Sequence, residues 1–403
     1  MALIVQKFGG TSVGSIERIQ NVATIVEAEK NKGNRIVVVV SAMGKTTDQL
    51  VSLAGQLTGT PSKREMDMLL STGEQVTISL LAMALQARGH QAISYTGWQA
   101  GIMTEAVPSN ARIEDIQTEK IHSKLETEQI VIVAGFQGIS ADGEITTLGR
   151  GGSDTTAVAL AAKLGADRCD IYTDVDGVYT SDPRVVGHAR KLSTISYDEM
   201  LELANLGAGV LHPRAVEFAK NYHVELEVRS SMVADRGTMI TEENAMEDQL
   251  IVKGIAFEKN VARITLFGLT EQSSGLGEIF SALALEQIDV DIIIHSQLED
   301  GSMNLSFTVN SEDVEQATNL LVRKQEVLGF KEIEFEEGLA KVSAVGSGMI
   351  SNPGVAAKIF TTLSGGGIPV KMVSTSEIKV SVIVSNDLME KASNVLHDQF
   401  ICG

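Results

Sequence analysis

The sequence predicts an α/β protein in which a largely parallel sheet, sandwiched by helices, is followed by two ferredoxin-like βαββαβ units. Three observations carry this expectation. The first ~250 residues alternate strand-like and helix-like segments, the pattern of successive βαβ units. The run RIVVVV at 35–40 lacks polar alternation, as expected of a strand whose sheet is covered on both faces. Beyond it, 261–296 resembles 340–376, each with a strand ending in glycine, a Gly-containing loop, an amphipathic helix and another apolar strand. At 403 residues the chain exceeds what one core usually supports, so two or three domains are expected.

ALIVQKFG reads as a buried strand, and SIERIQNVATIVEAEKNKG as a helix that stops at Gly33. RIVVVVSAMG is a strand, followed by a helix from about Thr47 to Leu57. EMDMLLSTGEQVTISLLAMALQARG is apolar enough for one central helix ending at Gly89. QAISYTG and QIVIVAGFQGI read as strands, and SDTTAVALAAKLGA as a small-residue helix capped by Ser153 or Asp154. DIYTDVDGVYTSDPR looks like a strand and a turn-rich loop punctuated by Gly177 and Pro183. YDEMLELANLGAGV and HPRAVEFAKNYH form a helical pair, and VELEVRSS is the last strand of the domain. The expected boundaries are a first domain at 1–235, a linker at 236–250, and repeats at 251–335 and 336–403. A strand at 251–258 can pair with either repeat.

The net charge of −19 excludes an extended nucleic-acid or anionic-membrane surface, which needs a basic footprint, but not a site for small anions. Cys169 and Cys402, far apart and in no metal-like spacing, read as reduced thiols. MALIVQKFGG is too short an apolar run for a signal peptide, and no uninterrupted apolar run approaches the ~20 residues of a membrane span. A cytoplasmic protein is expected.

The chemistry concentrates in glycine-rich turns. In VQKFGGTSVGS (5–15) a lysine precedes a glycine pair and hydroxyl residues, the reverse of the familiar P-loop order. Either this is a tight turn with Ser12 or Ser15 as helix cap, or Lys7 is an ammonium set beside a phosphate bed. In TTLGRGGSDTTA, Arg150 sits in a Gly-flanked turn opening onto a helix N-terminus, where free N–H groups favour an anion and a guanidinium forks onto carboxylates. Asp154 there either caps the helix or orients a cation such as Lys7. Ser41 follows a buried strand at the sheet edge where ligands bind. Glu74 in LLSTGEQ is either a helix-start carboxylate or an acceptor for a substrate ammonium. Asp174 and Asp176 lack the companions of a calcium loop, so no metal cage is expected; Thr173, Tyr179 and Arg184 beside them suit a nucleotide. His212 reads as structural, and no Ser–His–Asp or Cys–His nucleophile arrangement is present.

Taken in order, KFGGTS, SAMG, STGE, GRGGSDTTA, YTDVDGVYTSDPR and VLHPR resemble the aspartate kinases of the amino-acid kinase superfamily. The two C-terminal repeats look like that family's paired ACT domains, with STSE (374–377) marking the second. The resemblance spans essentially the whole chain. With no fused dehydrogenase after Gly403, the monofunctional form is expected.

The resemblance implies phosphorylation of the L-aspartate side chain by ATP with Mg2+, a first step towards lysine, threonine and methionine. By motif, it makes Lys7 and Asp154 catalytic. Ser41, Thr47, Glu74, Arg150, Gly151, Gly152 and Ser153 would bind aspartate. Lys7, Phe8, Gly9, Gly10, Thr11, Ser12, Thr173, Asp174, Tyr179, Asp182, Arg184, Gly209 and Val210 would bind ATP. Gly275, Gly277, His295, Asn352, Ser376 and Glu377 are the candidate effector residues, for lysine or threonine or both, with a homodimer or α2β2-type assembly through the ACT domains. The alternatives are another amino-acid kinase or a non-catalytic amino-acid sensor. Three positions depart from the family pattern: Gly209 replaces a lysine, Ser274-Gly275 replaces Pro-Gly (kept as Pro353-Gly354 in the second repeat), and His295 replaces a common glutamine.

Overall fold

The structure, a computed structural model, describes residues 1–206, 209–242, 250–269, 275–299 and 301–402. Its contacts divide them into two units, one of 1–179, 191–205 and 209–242, the other of 180–190, 206 and the described residues from 250 onward.

The first unit opens with β1 (Leu3–Phe8), α1 (Ile16–Lys30), β2 (Arg35–Val40), α2 (Thr46–Leu57), α3 (Lys63–Leu70) and α4 (Thr72–Ala87). Then come β3 (Ala92–Tyr95), β4 (Ile102–Thr104), β5 (Ile113–Ile116), α5 (Glu119–Glu126), β6 (Ile130–Ala134), β7 (Gln137–Ser140), β8 (Ile145–Thr147), α6 (Gly152–Leu164) and β9 (Arg168–Thr173). It closes with β10 (Thr194–Ser196), α7 (Tyr197–Asn205), α8 (Pro213–Tyr222), β11 (Leu226–Ser230) and β12 (Thr238–Thr241). Eight strands form one sheet in the order β10-β12-β11-β9-β1-β2-β6-β3, parallel at every pairing except β11 with β12. β9 and β1 lie at its centre with β2 beside them, and every residue from Ile36 to Val40 is fully buried. The reason is layering: α1 and α4 share a core with one face of β1, β2 and β6, while α6 packs on β1, β2 and β9. β5-β4-β7-β8 make a separate small sheet.

Four expectations change. The central helix is broken at Ser71, where a Ser/Gly-containing junction separates α3 from α4 and Ser71 Oγ turns back to the Met68 carbonyl at 2.9 Å. Lys63–Ala87 is long and apolar enough to pass for a membrane span, but 56% of an 18-residue stretch of it is buried inside the protein. QIVIVAGFQGI is two strands in two sheets, because Phe136 turns the chain at φ 71°. The cap of α6 is Gly151, with Ser153 and Asp154 inside the first turn. Finally, VELEVRSS is not the last strand: β12 lies within the expected linker and pairs with both β11 and β10. Thr238, inside that expected linker, is fully buried and donates to the Leu192 carbonyl at 2.6 Å. The rest of that linker, 243–249, lies outside the described residues.

The second unit contains β13 (Gly254–Leu269), α9 (Gly275–Leu285), β14 (Ile293–Gln297), β15 (Met303–Asn310), α10 (Val314–Arg323) and α11 (Gln325–Leu328). It continues through β16 (Glu332–Val345), α12 (Val355–Gly365), β17 (Met372–Thr375), β18 (Lys379–Ser385) and α13 (Met389–His397). Its sheet is antiparallel throughout, in the order β14-β15-β13-β16-β18-β17. β13 and β16 are long enough to serve both repeats. The C-terminal half of β13 starts the first repeat. Its N-terminal half, Gly254–Glu258, pairs with Lys341–Val345 and completes the second. The break between the halves is a bulge at Asn260, whose φ is 61°.

Ile255, 1% exposed, shares a core with Val342, Ile359 and Leu363. Ile255→Ala is expected to cost about 2–5 kcal/mol locally and to speed hydrogen exchange in α12 and β18. Loss of protection over α9 and β14 instead would overturn this assignment of the strand.

Candidate active site

The site begins at the carboxyl end of β1. Lys7 is the last polar residue of a buried strand and is itself only 8% exposed. Its Nζ lies 2.5 Å from Oδ1 of Asp154, in the first turn of α6. A buried ammonium requires a partner of this kind. The chain then turns along the glycine pair. The Gly9 N–H donates to the Tyr172 carbonyl at 3.1 Å, and a Cβ on Gly9 would stand 3.4 Å from the Lys7 ammonium. A Cβ on Gly10 would come within 3.0 Å of the Ala42 carbonyl oxygen, so the loop after β2 approaches backbone to backbone. Gly44 N–H donates to the Gly10 carbonyl at 3.0 Å, and Ser41 N–H to that of Phe8 at 3.1 Å. Phe8 is buried and stacked on Tyr172 with centroids 4.5 Å apart. Ser12 is also buried, its hydroxyl 2.7 Å from that of Ser231, so it ties the loop down from behind. Thr11 is exposed.

The SAMG turn (41–44) carries the site to α4. Glu74 is 2% exposed and accepts the Ala42 N–H at 3.1 Å, with Gln137 Nε2 at 3.5 Å from its other oxygen. Burial pushes its carboxyl up to about 7, only partly opposed by those N–H donors. Gly73 is needed beside it, since a Cβ there would lie 2.8 Å from that of Ala42. Ser41 and Thr47 are half-buried, the latter in the first turn of α2.

The Arg150 turn is held from behind. Gly151 has φ 67°, and a Cβ on it would fall 2.1 Å from Cγ of His212. His212 caps α8 by accepting the Arg214 N–H on Nδ1 at 3.3 Å, and burial lowers its pKa. Arg214 donates to the carbonyls of Leu148 at 2.6 Å and Ala111 at 3.3 Å. Below it, the fully buried Asp67 accepts from N–H and hydroxyl groups of both Ser109 and Thr147, at 2.7–3.2 Å. Gly152 is buried against Phe136, and Ser153, 8% exposed, fits because Gly135 has no side chain. Arg150 itself is exposed at the tip of the turn.

The structure thus joins Lys7, Gly9, Gly10, Ser41, Glu74 and Asp154 through direct or one-step contacts. The remaining candidates are placed as follows. Thr173 Oγ1 donates to Asp174 at 3.0 Å. Tyr179 OH donates to Asp176, which also pairs with Lys191 at 3.1 Å. Asp182 and Arg184 pair at 2.7 Å within the second unit. Gly209, at φ 65°, is exposed, and Val210 is half-buried; Gly207 and Ala208 before them lie outside the described residues. Among the effector candidates, Gly275 (φ 81°) and Gly277 begin α9, and His295 is exposed on β14 with Nε2 3.1 Å from Met303 Sδ. Asn352 donates to the Gly348 carbonyl at 2.8 Å, and Ser376 and Glu377 are exposed before β18. Ser274 lies outside the described residues.

Asp67, Gln137 and Arg214 escape the sequence reading, and His212 is caught only as structural. The one sequence signal for Asp67 is a carboxylate inside the apolar run EMDMLL.

The Amino acid kinase family profile matches residues 2–230, and an ACT domain profile matches 342–400. The chain is 65% identical over 400 residues to the aspartokinase of Bacillus sp. (strain MGA3), covering 99% of this chain and 97% of that one. It is similar to E. coli aspartokinase III in complex with aspartate and ADP (R-state), with TM-score 0.83 and 28% identity over 98% of this chain and 99% of that one. The same enzyme in complex with lysine and aspartate (T-state) matches with TM-score 0.80 and 28% identity, over 99% of each chain. The chain therefore belongs to the amino acid kinase family, in its ACT-bearing aspartokinase branch, and is an enzyme of the kinase type.

Gly151→Ala is expected to cost about 2–4 kcal/mol, from left-handed strain plus overlap with the His212 ring. Urea unfolding should show that His212→Ala recovers part of this loss. Strict additivity of the two changes would remove the overlap as the cause.

Proposed function

We propose that the protein transfers the γ-phosphoryl group of ATP to the side-chain carboxylate of L-aspartate, giving ADP and 4-phospho-L-aspartate. The observation that carries the reading is the Lys7–Asp154 pair beside a glycine bed at the sheet's carboxyl edge. A carboxylate oxygen of aspartate forms the new bond to phosphorus, and the bond to the bridging oxygen breaks with its electron pair leaving on ADP. The nucleophile is already ionised at neutral pH, so no general base is required. The chain's task is to hold two anions together by charge and oriented N–H groups.

In this reading Lys7 offsets charge on the transferring oxygens, Asp154 holds Lys7 in place, and Gly9 and Gly10 let the backbone approach the phosphates. At Gly9, where a Cβ would stand 3.4 Å from the Lys7 ammonium, the absence of a side chain leaves that cation open to a phosphate oxygen. Magnesium, when bound with the nucleotide, supplies further neutralisation of phosphate charge. Arg150, free to reach from its tip, forks onto the α-carboxylate, and Glu74 accepts the α-ammonium. The aspartate and ADP in the E. coli relative support this pairing of ligands.

The ACT domains suggest allosteric regulation, and we extend this to inhibition by lysine, threonine or both; the lysine complex of the relative supports the former. Placement early in lysine, threonine and methionine synthesis, a cytoplasmic location and ACT-mediated homo-oligomers complete the proposal. A coupled assay of ADP release with L-aspartate, with L-glutamate and without acceptor tests it, and activity with glutamate but not aspartate would refute it.

Lys7→Ala should lower kcat by ~10²–10³ or more with the fold retained by circular dichroism. A variant keeping more than about a tenth of wild-type kcat would remove Lys7 from the mechanism.

Glu74 gives a pH signature. Its folded pKa, about 7, lies above the unfolded 4.5, so the native state binds the extra proton and stability contributed by that proton is lost as pH rises from 4.5 through 7. The substrate ammonium needs the ionised form. Aspartate binding should therefore weaken by up to about tenfold per pH unit below 7. Glu74→Gln should raise KM and flatten both pH profiles; an unchanged profile in the variant would assign the titration elsewhere.

A further inference from the structure

Helix α13 ends abnormally. After His397 the chain widens into a π-turn, Asp398–Cys402, instead of continuing as α-helix. Such turns close i→i+5, are rare, and recur at functional sites. Here the wider turn brings Cys402 to the side of His397, which an α-helix would not do for residues five apart. His397 Nδ1 and Cys402 Sγ are 3.7 Å apart, and a carboxylate oxygen of Asp398 completes a cluster whose ligand atoms all lie within 4.8 Å of one another.

The imidazole is held in one orientation. His397 is fully buried, and its Nε2 lies 2.8 Å from Thr180 Oγ1. In the tautomer whose Nε2–H donates to that hydroxyl, the lone pair is on Nδ1, beside Cys402 Sγ. A metal-binding histidine characteristically has its second nitrogen committed in this way. The hydroxyl is itself fixed, since it also accepts the Arg190 N–H at 2.9 Å.

The spacing fits a cation. With Zn–N near 2.0–2.1 Å and Zn–S near 2.3 Å, a tetrahedral centre separates nitrogen and sulfur by about 3.6 Å. The observed 3.7 Å needs almost no adjustment. Cys402 and Asp398 are exposed while His397 is buried, so a cation can enter from solvent and find one anchored ligand. Thiolate and imidazole together select a borderline-soft ion over magnesium or calcium.

We propose that His397 Nδ1, Cys402 Sγ and an Asp398 oxygen bind a zinc-type divalent cation, with solvent in the fourth position. The site lies wholly in the second unit. It also bears on segment 180–190 of that unit, which is held by Ile255 N–H to the Thr180 carbonyl at 2.7 Å and Asn394 Nδ2 to the Val185 carbonyl at 3.1 Å. A cation on Nδ1 strengthens the Nε2–H donor to Thr180, the residue that follows Tyr179 in the chain.

The test uses the full chain, stripped with a chelator and titrated with Co2+ and then Zn2+. Expected are one equivalent per chain, a thiolate-to-cobalt charge-transfer band in the near ultraviolet, and loss of that band on adding Zn2+. Cys402→Ser should abolish the band, and Asp398→Asn should weaken Zn2+ binding by about tenfold or more. Both changes are at exposed positions and spare the core, and Cys169→Ser serves as the thiol control. No band in the wild-type chain, a band persisting in Cys402→Ser, or equal zinc binding by that variant would overturn the proposal. The Sγ–Nδ1 contact would then be a thiol hydrogen bond only.

Discussion

The Lys7–Asp154 ion pair is the constraint around which the first unit is arranged. An ammonium carried on the central strand of a covered parallel sheet loses most of its hydration and must meet an anion at short range. The first turn of α6 delivers one, Asp154 at 2.5 Å. The pair ties the start of α6, already packed on β1, β2 and β9, to the end of β1, next to the Gly-rich turn from which α6 begins. It also leaves the cation preoriented, as the proposed phosphoryl transfer requires.

The glycines follow from the same crowding. Gly9, Gly10, Gly73 and Gly151 each stand where a side chain would meet the ammonium, a carbonyl, a methyl or an imidazole ring. They let three loops converge closely, but cannot hold those loops still. That work falls to polar groups behind the site: Asp67 with its four donors, Arg214 on two carbonyls, His212 under Gly151, and Ser12 on Ser231. Burial of Glu74 among these loops raises its carboxyl to about 7, so one group couples packing, pH and the proposed recognition of an ammonium.

In the second unit, the two repeats are one hydrogen-bonded sheet because β13 and β16 run through both. Neither repeat can slide against its helices without carrying a strand of the other. Such sharing suits a regulatory module, in which a ligand at one repeat must be felt beyond it.

Sequence alone determined the elements whose identity depends on local pattern: the uninterrupted Ile36–Val40 strand, the helical periodicities, the repeat, and the ordered motifs naming Lys7, Glu74, Arg150 and Asp154. Those features depend on residue type at fixed spacing, so one chain suffices to read them. Tertiary structure decided the rest. The break at Ser71, the turn at Phe136 and the pairing of β12 each depend on what another segment offers as a hydrogen-bond partner or packing surface. The same holds for the choice between cap and counter-ion at Asp154, since an N-cap and an ion-pair partner look alike until the strand beside the helix is in place. It holds again for Asp67 and Gln137, whose partners lie 42 to 80 residues away. His397 and Cys402 looked unrelated because five-residue spacing places side chains apart on an α-helix. Only a π-turn brings them together, and the sequence reading carried no signal for that turn.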